Sequence, residues 1–364
     1  MMQRVKPGGR RHLPAFDLLR GAAIIAVVYL HAYFTPWPEV SRGGQDALHL
    51  AHLVAHGAVP LFLFIAAYLQ AAGPRETLLG HLRGRWWPVW LPAMLWMAAT
   101  LGYRLTREGA TPGVWRDLAL FDISGQFYFI WLLLVFGAAL TQAHRLPERA
   151  VWPAVAVALA VNAGTIGWYE SHGSISGVFA TLAYRNPLAW VFFPVLGYAL
   201  GRRRLPRLPG RWVAGGALTM ALSAAAYAYP GLTRDHWPVS YFGLAVFAFS
   251  AGGMLVYPAI GEWALGWRWI ARPLMGLSRY AFPIYLVHLP FAIGLGTEEL
   301  LGNGADWSNY WLLLHANWAV GLFVPLAVIR ELDKASPWLG ARVFGVRKRM
   351  WRAPAAPVGV TSNS

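Results

Sequence analysis

The sequence has no cysteine. That removes disulfides, thiolate metal sites and a cysteine nucleophile. Charge is also scarce, at only 13% of the 364 residues. A soluble domain of this length carries about 25%, so the chain reads as a polytopic membrane protein. Acidic residues are the scarcer sign, 16 against 31 Lys and Arg, which leaves a formal charge of +15. In a membrane chain such a surplus marks cytoplasmic loops, so no nucleic-acid partner is expected. The sequence also lacks a Walker loop, a dinucleotide glycine fingerprint and an internal repeat readable by eye.

Apolar residues are abundant, at 57% of the chain, with 20 Trp and 25 Pro. Spans are expected at 14–34, 52–72, 86–104, 125–141, 150–167, 184–201, 212–229, 239–258, 274–296 and 309–329. Each approaches the ~20 residues that cross a bilayer core. Pro60, Pro92, Pro194 and Pro283 fall inside these stretches and are expected as interior prolines, with neighbouring helices covering the freed carbonyls. The expected fold is all-α, a transmembrane bundle of about ten helices. Residues 1–13 form a basic N-terminal tail, 14–330 the membrane domain, and 331–364 a basic, disordered C-terminal tail.

Lys and Arg orient the bundle. Arg42, Arg104, Arg107, Arg116, Arg185 and Arg234 fall in one set of loops, while 24 of the 31 fall in the other set with both tails. The positive-inside rule therefore puts both termini in the cytoplasm. A signal peptide is a poorer reading of the first apolar run, because no small-x-small cleavage site follows it. The Arg202-Arg203-Arg204 run most simply anchors on anionic membrane lipid.

The first span, Phe16 to Phe34, carries Asp17, Arg20 and His31. Ionisable groups inside hydrocarbon are costly, so three in one span mark a site. On a helix all three point one way, with His31 about 16 Å further along the axis than Arg20. A structural ion pair and a packed histidine are the bland alternative. His49, His52 and His56 share another helix face. No carboxylate completes a metal set there, so they are expected to face an acceptor pocket or water, with no metal.

These residues carry a family resemblance. Arg20, ten residues and then His31 resembles the first-helix signature of the acyltransferase family 3 membrane proteins. Val59 to Leu69 resembles the family's phenylalanine-rich second helix, with Ala66-Ala67 where the family has Ser-Gly. His81-Leu-Arg83-Gly-Arg85-Trp-Trp-Pro88 resembles its arginine pair before a proline, with Arg83 one residue off the usual spacing. Gln126 to Leu133 resembles its aromatic fourth helix, and Ser278 through Tyr285 to His288 its late motif.

The resemblance implies an acyltransferase that uses acyl-CoA, with acetyl-CoA the expected form, as donor substrate and holds no permanent cofactor. Arg20, Arg83 and Arg85 would grip the donor phosphates, because guanidinium forks hold phosphate bidentately. His31 would act either as general base or as a transient acyl carrier. Arg20 would hold phosphate or stabilise developing charge, and Asp17 would orient Arg20. His56, Tyr285 and His288 are candidates for acceptor binding. The acceptor would be a glycan or lipid-linked saccharide at the outer face of a bacterial inner membrane, in exopolysaccharide or surface-polysaccharide biosynthesis, with the polysaccharide-synthesis machinery as a further partner. The alternative from another class is a proton-coupled transporter or flippase of glycan precursors, using Asp17, Arg20, His31 and His288 as a relay. Matching halves with broken helices would be its sign.

Overall fold

The computed structural model describes residues 13–32, 42–172, 177–203, 207–234, 242–293 and 310–346. Most of the expected N-terminal tail, Arg204 and residues 347–364 lie outside the described residues. Among those described there is no strand. The helices are α1 (Pro14–Ala32), α2 (Arg42–His56), α3 (Ala58–Ala72), α4 (Leu78–Arg85), α5 (Leu91–Glu108), α6 (Pro112–Ala119), α7 (Tyr128–Leu140) and α8 (Glu148–Ser171). They continue as α9 (Gly177–Arg185), α10 (Phe192–Arg202), α11 (Gly210–Arg234), α12 (Leu244–Ala264), α13 (Arg268–Ser278), α14 (Ala281–Ile293), α15 (Tyr310–Ala335) and α16 (Pro337–Val343). A π-helical turn, Trp86–Trp90, joins α4 to α5. Among the described residues five stretches are long and apolar enough to cross a bilayer: Pro14–Ala32, Asp46–Ala72, Gly125–Arg145, Glu148–Ser171 and Leu244–Ala264. The fold is the helical membrane bundle that the composition called for.

Several expected boundaries move, and proline explains the largest shifts. Pro194 and Pro283 do not kink continuous spans, while Pro60 lies three residues after the turn at Gly57, within the apolar stretch Asp46–Ala72. Each sits in the first turn of its helix, α3, α10 and α14. Proline lacks the N–H that an interior position needs, and its ring crowds the carbonyl four residues back. In a first turn that N–H has no intrahelical acceptor anyway. The chain therefore breaks just upstream: at Gly57, at Pro187–Val191, and at Arg279-Tyr280. The expected span 274–296 becomes α13 and α14, and 184–201 becomes α9 and α10. The stretch 331–346, read as the start of a tail, is instead mostly helical, with Phe344 and Val346 buried against the main core.

The bundle is built around α1. It packs against α3, α12, α13, α14 and α15, and its buried side includes Phe16, Leu19, Ile24 and Val27. Gly21 lets α13 close in, because a Cβ there would collide with the backbone carbonyl of Leu274. Gly197 and Gly201 bring α10 equally close to the carbonyls of Phe64 and Tyr68 on α3. Small residues at such crossings let helices associate by close packing, which is what replaces the hydrophobic effect in lipid. On the outside, α8 and α11 expose Val157, Leu159, Leu218 and Leu222, an apolar face that suits acyl chains.

Candidate active site

The last turn of α1 carries His31, and α14 carries His288. Their rings meet with centroids 5.0 Å apart, tilted by 53°. His288 is completely buried. Its Nδ1 lies 2.9 Å from the Tyr285 carbonyl oxygen and 3.2 Å from that of Ile284. A carbonyl only accepts, so Nδ1 carries the proton and, in the neutral ring, Nε2 keeps its lone pair. That Nε2 is buried and has no hydrogen-bond partner among the described residues. An unsatisfied buried polar atom costs about 1–3 kcal/mol, so such an atom beside a second imidazole calls for a functional explanation.

The framework behind His288 is tightly held. Tyr285 meets Phe129 edge to face at 5.2 Å and lies 5.9 Å from the His288 ring. Its hydroxyl donates to the backbone carbonyl of Gln126. Gln126 in turn donates from Nε2 to the Leu286 carbonyl at 3.4 Å and accepts from Ser124 at 2.5 Å. Gln126 was not singled out as a site residue by the sequence, although it opens the aromatic fourth-helix motif. Its position beside α14 is the only signal of its role, and that is a tertiary one.

Asp17 and Arg20 pair within α1, with Arg20 Nη1 donating to Asp17 Oδ1 at 2.7 Å. Asp17 lies in the first turn, where a carboxylate also suits the helix dipole. Gly21, next in sequence, brings α13 directly beside this pair. The ion pair and His31 thus occupy opposite ends of one helix.

Arg83 and Arg85 sit elsewhere. Arg83 is exposed on α4. Arg85 donates to Glu76 at 2.9 Å and to the His81 carbonyl at 3.4 Å. Glu76 also stands 3.5 Å from Nδ1 of the buried His81. Burial, then the Arg85 charge, lower the His81 pKa to about 4 against the opposing pull of Glu76. His81 is therefore neutral at pH 7. Neither arginine touches Arg20, whose bond is to Asp17.

His49, His52 and His56 are all buried on α2. The His52 and His56 rings lie 4.2 Å apart, edge to face, and His56 Nδ1 meets the His52 carbonyl at 2.6 Å. His56 thus packs against His52 within α2. Of the basic run after α10, Arg202 and Arg203 both reach Glu148, at 3.3 and 3.2 Å.

A bundle of apolar helices, five of them long enough among the described residues to cross a bilayer, defines an integral-membrane protein. Residues 13–329 match the family model for an acyltransferase domain, that of acyltransferase family 3, and the chain belongs to this family. It is thus a membrane acyltransferase. No curated protein and no solved structure matches the chain.

Proposed function

We propose that the protein moves an acyl group, acetyl by preference, from cytoplasmic acyl-CoA to a hydroxyl of a glycan or lipid-linked saccharide at the outer face of a bacterial inner membrane. The observation that carries this reading is the approach of His31 to His288, with a buried and unbonded Nε2 on the latter. A hydroxyl acceptor must lose its proton while its oxygen attacks the thioester carbon, and neutral imidazole is suited to take that proton. The new C–O bond forms, the C–S bond breaks, and the sulfur leaves as a thiolate that recovers the proton. His31 works either as that base or as the first nucleophile, carrying the acyl group on nitrogen. His288, its Nδ1 tied to its own helix, orients His31 or shares its proton.

Donor recognition falls to the arginines. Arg83 is exposed and offers its full fork to phosphate. Arg85 would exchange or share Glu76. Arg20, fixed by Asp17, lies near the same membrane surface and would stabilise charge on the donor. His56 and Tyr285 are weaker candidates for acceptor contacts, and Tyr285 fits better as the residue that steadies α14. The charge distribution supports outward delivery to surface polysaccharide, since the positive-inside rule favours the arginine end in the cytoplasm.

Calorimetric titration with acetyl-CoA, together with thiol release in the presence of extracted surface glycans, tests this reading. Binding and acceptor-dependent thiol release are the expected results. A wild-type protein that does neither would refute it and favour proton-coupled transport.

A further inference from the structure

The family match stops at residue 329, yet the chain folds on beyond it. Helix α16 follows α15 after Ser336, whose hydroxyl accepts from Leu339 N at 3.4 Å as an N-cap. It packs back onto the π-helical turn and α5. Trp96 Nε1 donates to the Val343 carbonyl at 3.1 Å, and the Trp96 and Phe344 rings lie 5.6 Å apart. Gly345 has φ of 69° and fits against the Pro88 carbonyl and the Phe282 ring, where no Cβ could. The segment is therefore seated in one position.

That seating puts Arg342 over Trp87, with the guanidinium carbon 3.7 Å from the ring centroid. Trp87 lies one turn after the exposed Arg83 and two residues after Arg85. Arg342 Nη1 is buried, and among the described residues it has no hydrogen-bond partner and no carboxylate within ion-pair distance. The acid packed against this helix, Asp333 beneath Gly340, is held by Arg279 at 2.5 Å. The bland account is a cation in the last turn of a helix, favoured by the dipole and by the indole face. It explains the stacking. It does not explain a guanidinium nitrogen buried without an acceptor, since charged groups are the costliest to leave unpaired.

We propose that Arg342 is a phosphate-binding residue, a guanidinium fork oriented by Trp87 that completes an anion site with Arg83 on the adjoining turn. The ligand is a phosphate ester. Under the function proposed above it is the nucleotide end of the acyl-CoA donor, and the other source of the same chemistry is a phospholipid headgroup at that surface.

Wild type and Arg342→Gln are reconstituted in phosphatidylcholine nanodiscs and titrated with acetyl-CoA and with S-acetylpantetheine, which keeps the thioester but has no phosphate. The donor assignment expects Arg342→Gln to weaken acetyl-CoA binding by roughly ten-fold or more while leaving S-acetylpantetheine unchanged. Arg342→Lys recovers little, because a point charge does not replace the fork. In a second arm, nanodiscs contain phosphatidylglycerol, and lipid retained by the protein is counted by native mass spectrometry. Selective loss of phosphatidylglycerol in Arg342→Gln supports the headgroup source. Equal behaviour of variant and wild type in both arms overturns the proposal. So does equal weakening of both thioesters, which means Arg342 acts only through the fold. If the wild type does not bind acetyl-CoA at all, the donor function fails, and the lipid arm still decides Arg342.

Discussion

His31 and His288 face each other with ring centroids 5.0 Å apart, although they come from α1 and α14. Nδ1 of His288 is committed to the carbonyls of its own helix, so only Nε2 is free to exchange a proton. The two imidazoles form one unit, and their contributions to rate are expected to be coupled rather than additive.

His31→Ala is expected to insert normally and to lose about 10²–10⁴ in transfer rate, the usual cost of removing a general base. His288→Gln should also lose activity, and the double variant should lose little more than His31→Ala alone. A disulfide reagent that reports released coenzyme A thiol is the measurement, and a chain without cysteine gives it no protein background. Fully multiplicative losses would separate the two histidines into independent roles.

Gly21→Ala should destabilise the protein by about 1–3 kcal/mol, the range for overpacking. Its Cβ would meet a backbone carbonyl of α13, which cannot swing aside as a side chain can. Gly84→Ala is the control, since nothing lies within 4 Å of the Cβ position there, and it should be neutral or slightly stabilising. Thermal melting in detergent compares them. A Gly21→Ala melt at or above the wild-type value would mean α1 and α13 are further apart.

His81 makes stability fall in mild acid. Its folded pKa of about 4 lies below the ordinary 6.5, so between those values the unfolded chain binds a proton that the folded chain does not. Stability then rises with pH through that window and is fully present above about 6.5. Melting temperature against pH should show this slope in the wild type and a shallower one in His81→Gln. Parallel curves would remove His81 as the source.

Arg85→Ala should weaken acetyl-CoA binding more than His31→Ala does, because His31 is about 16 Å from Arg20 along α1 and faces the reacting end. The Arg85–Glu76 bond adds a second expectation: Glu76→Gln should free the fork and tighten binding. Calorimetry on the three variants decides, and an Arg85→Ala affinity equal to wild type would exclude Arg85 from the donor site.

Reporter fusions after residues 206 and 345 should both score cytoplasmic, and fusions near 172 and 304 periplasmic, from the 24 basic residues on one side against six on the other. Opposite signals at residues 206 and 345 would break the proposed orientation.

The sequence by itself determined that this is a helical membrane bundle, because hydropathy and charge scarcity add up residue by residue along the chain. It also determined that Asp17, Arg20 and His31 share one helix face and that Asp17 can reach Arg20, since i and i+3 are neighbours on any helix. The prolines were visible as residues, but whether each kinks a span or begins one depends on the carbonyl upstream and on what covers it, and Pro194 and Pro283 both begin helices. Only the tertiary structure decided that His31 meets His288, that Gln126 holds Tyr285, and that Arg342 lies on Trp87. These are contacts between helices remote in sequence. Periodicity fixes which face of a helix a side chain occupies, but which neighbour that face meets is set by close packing of the whole bundle, where Gly21, Gly197 and Gly201 choose the crossings.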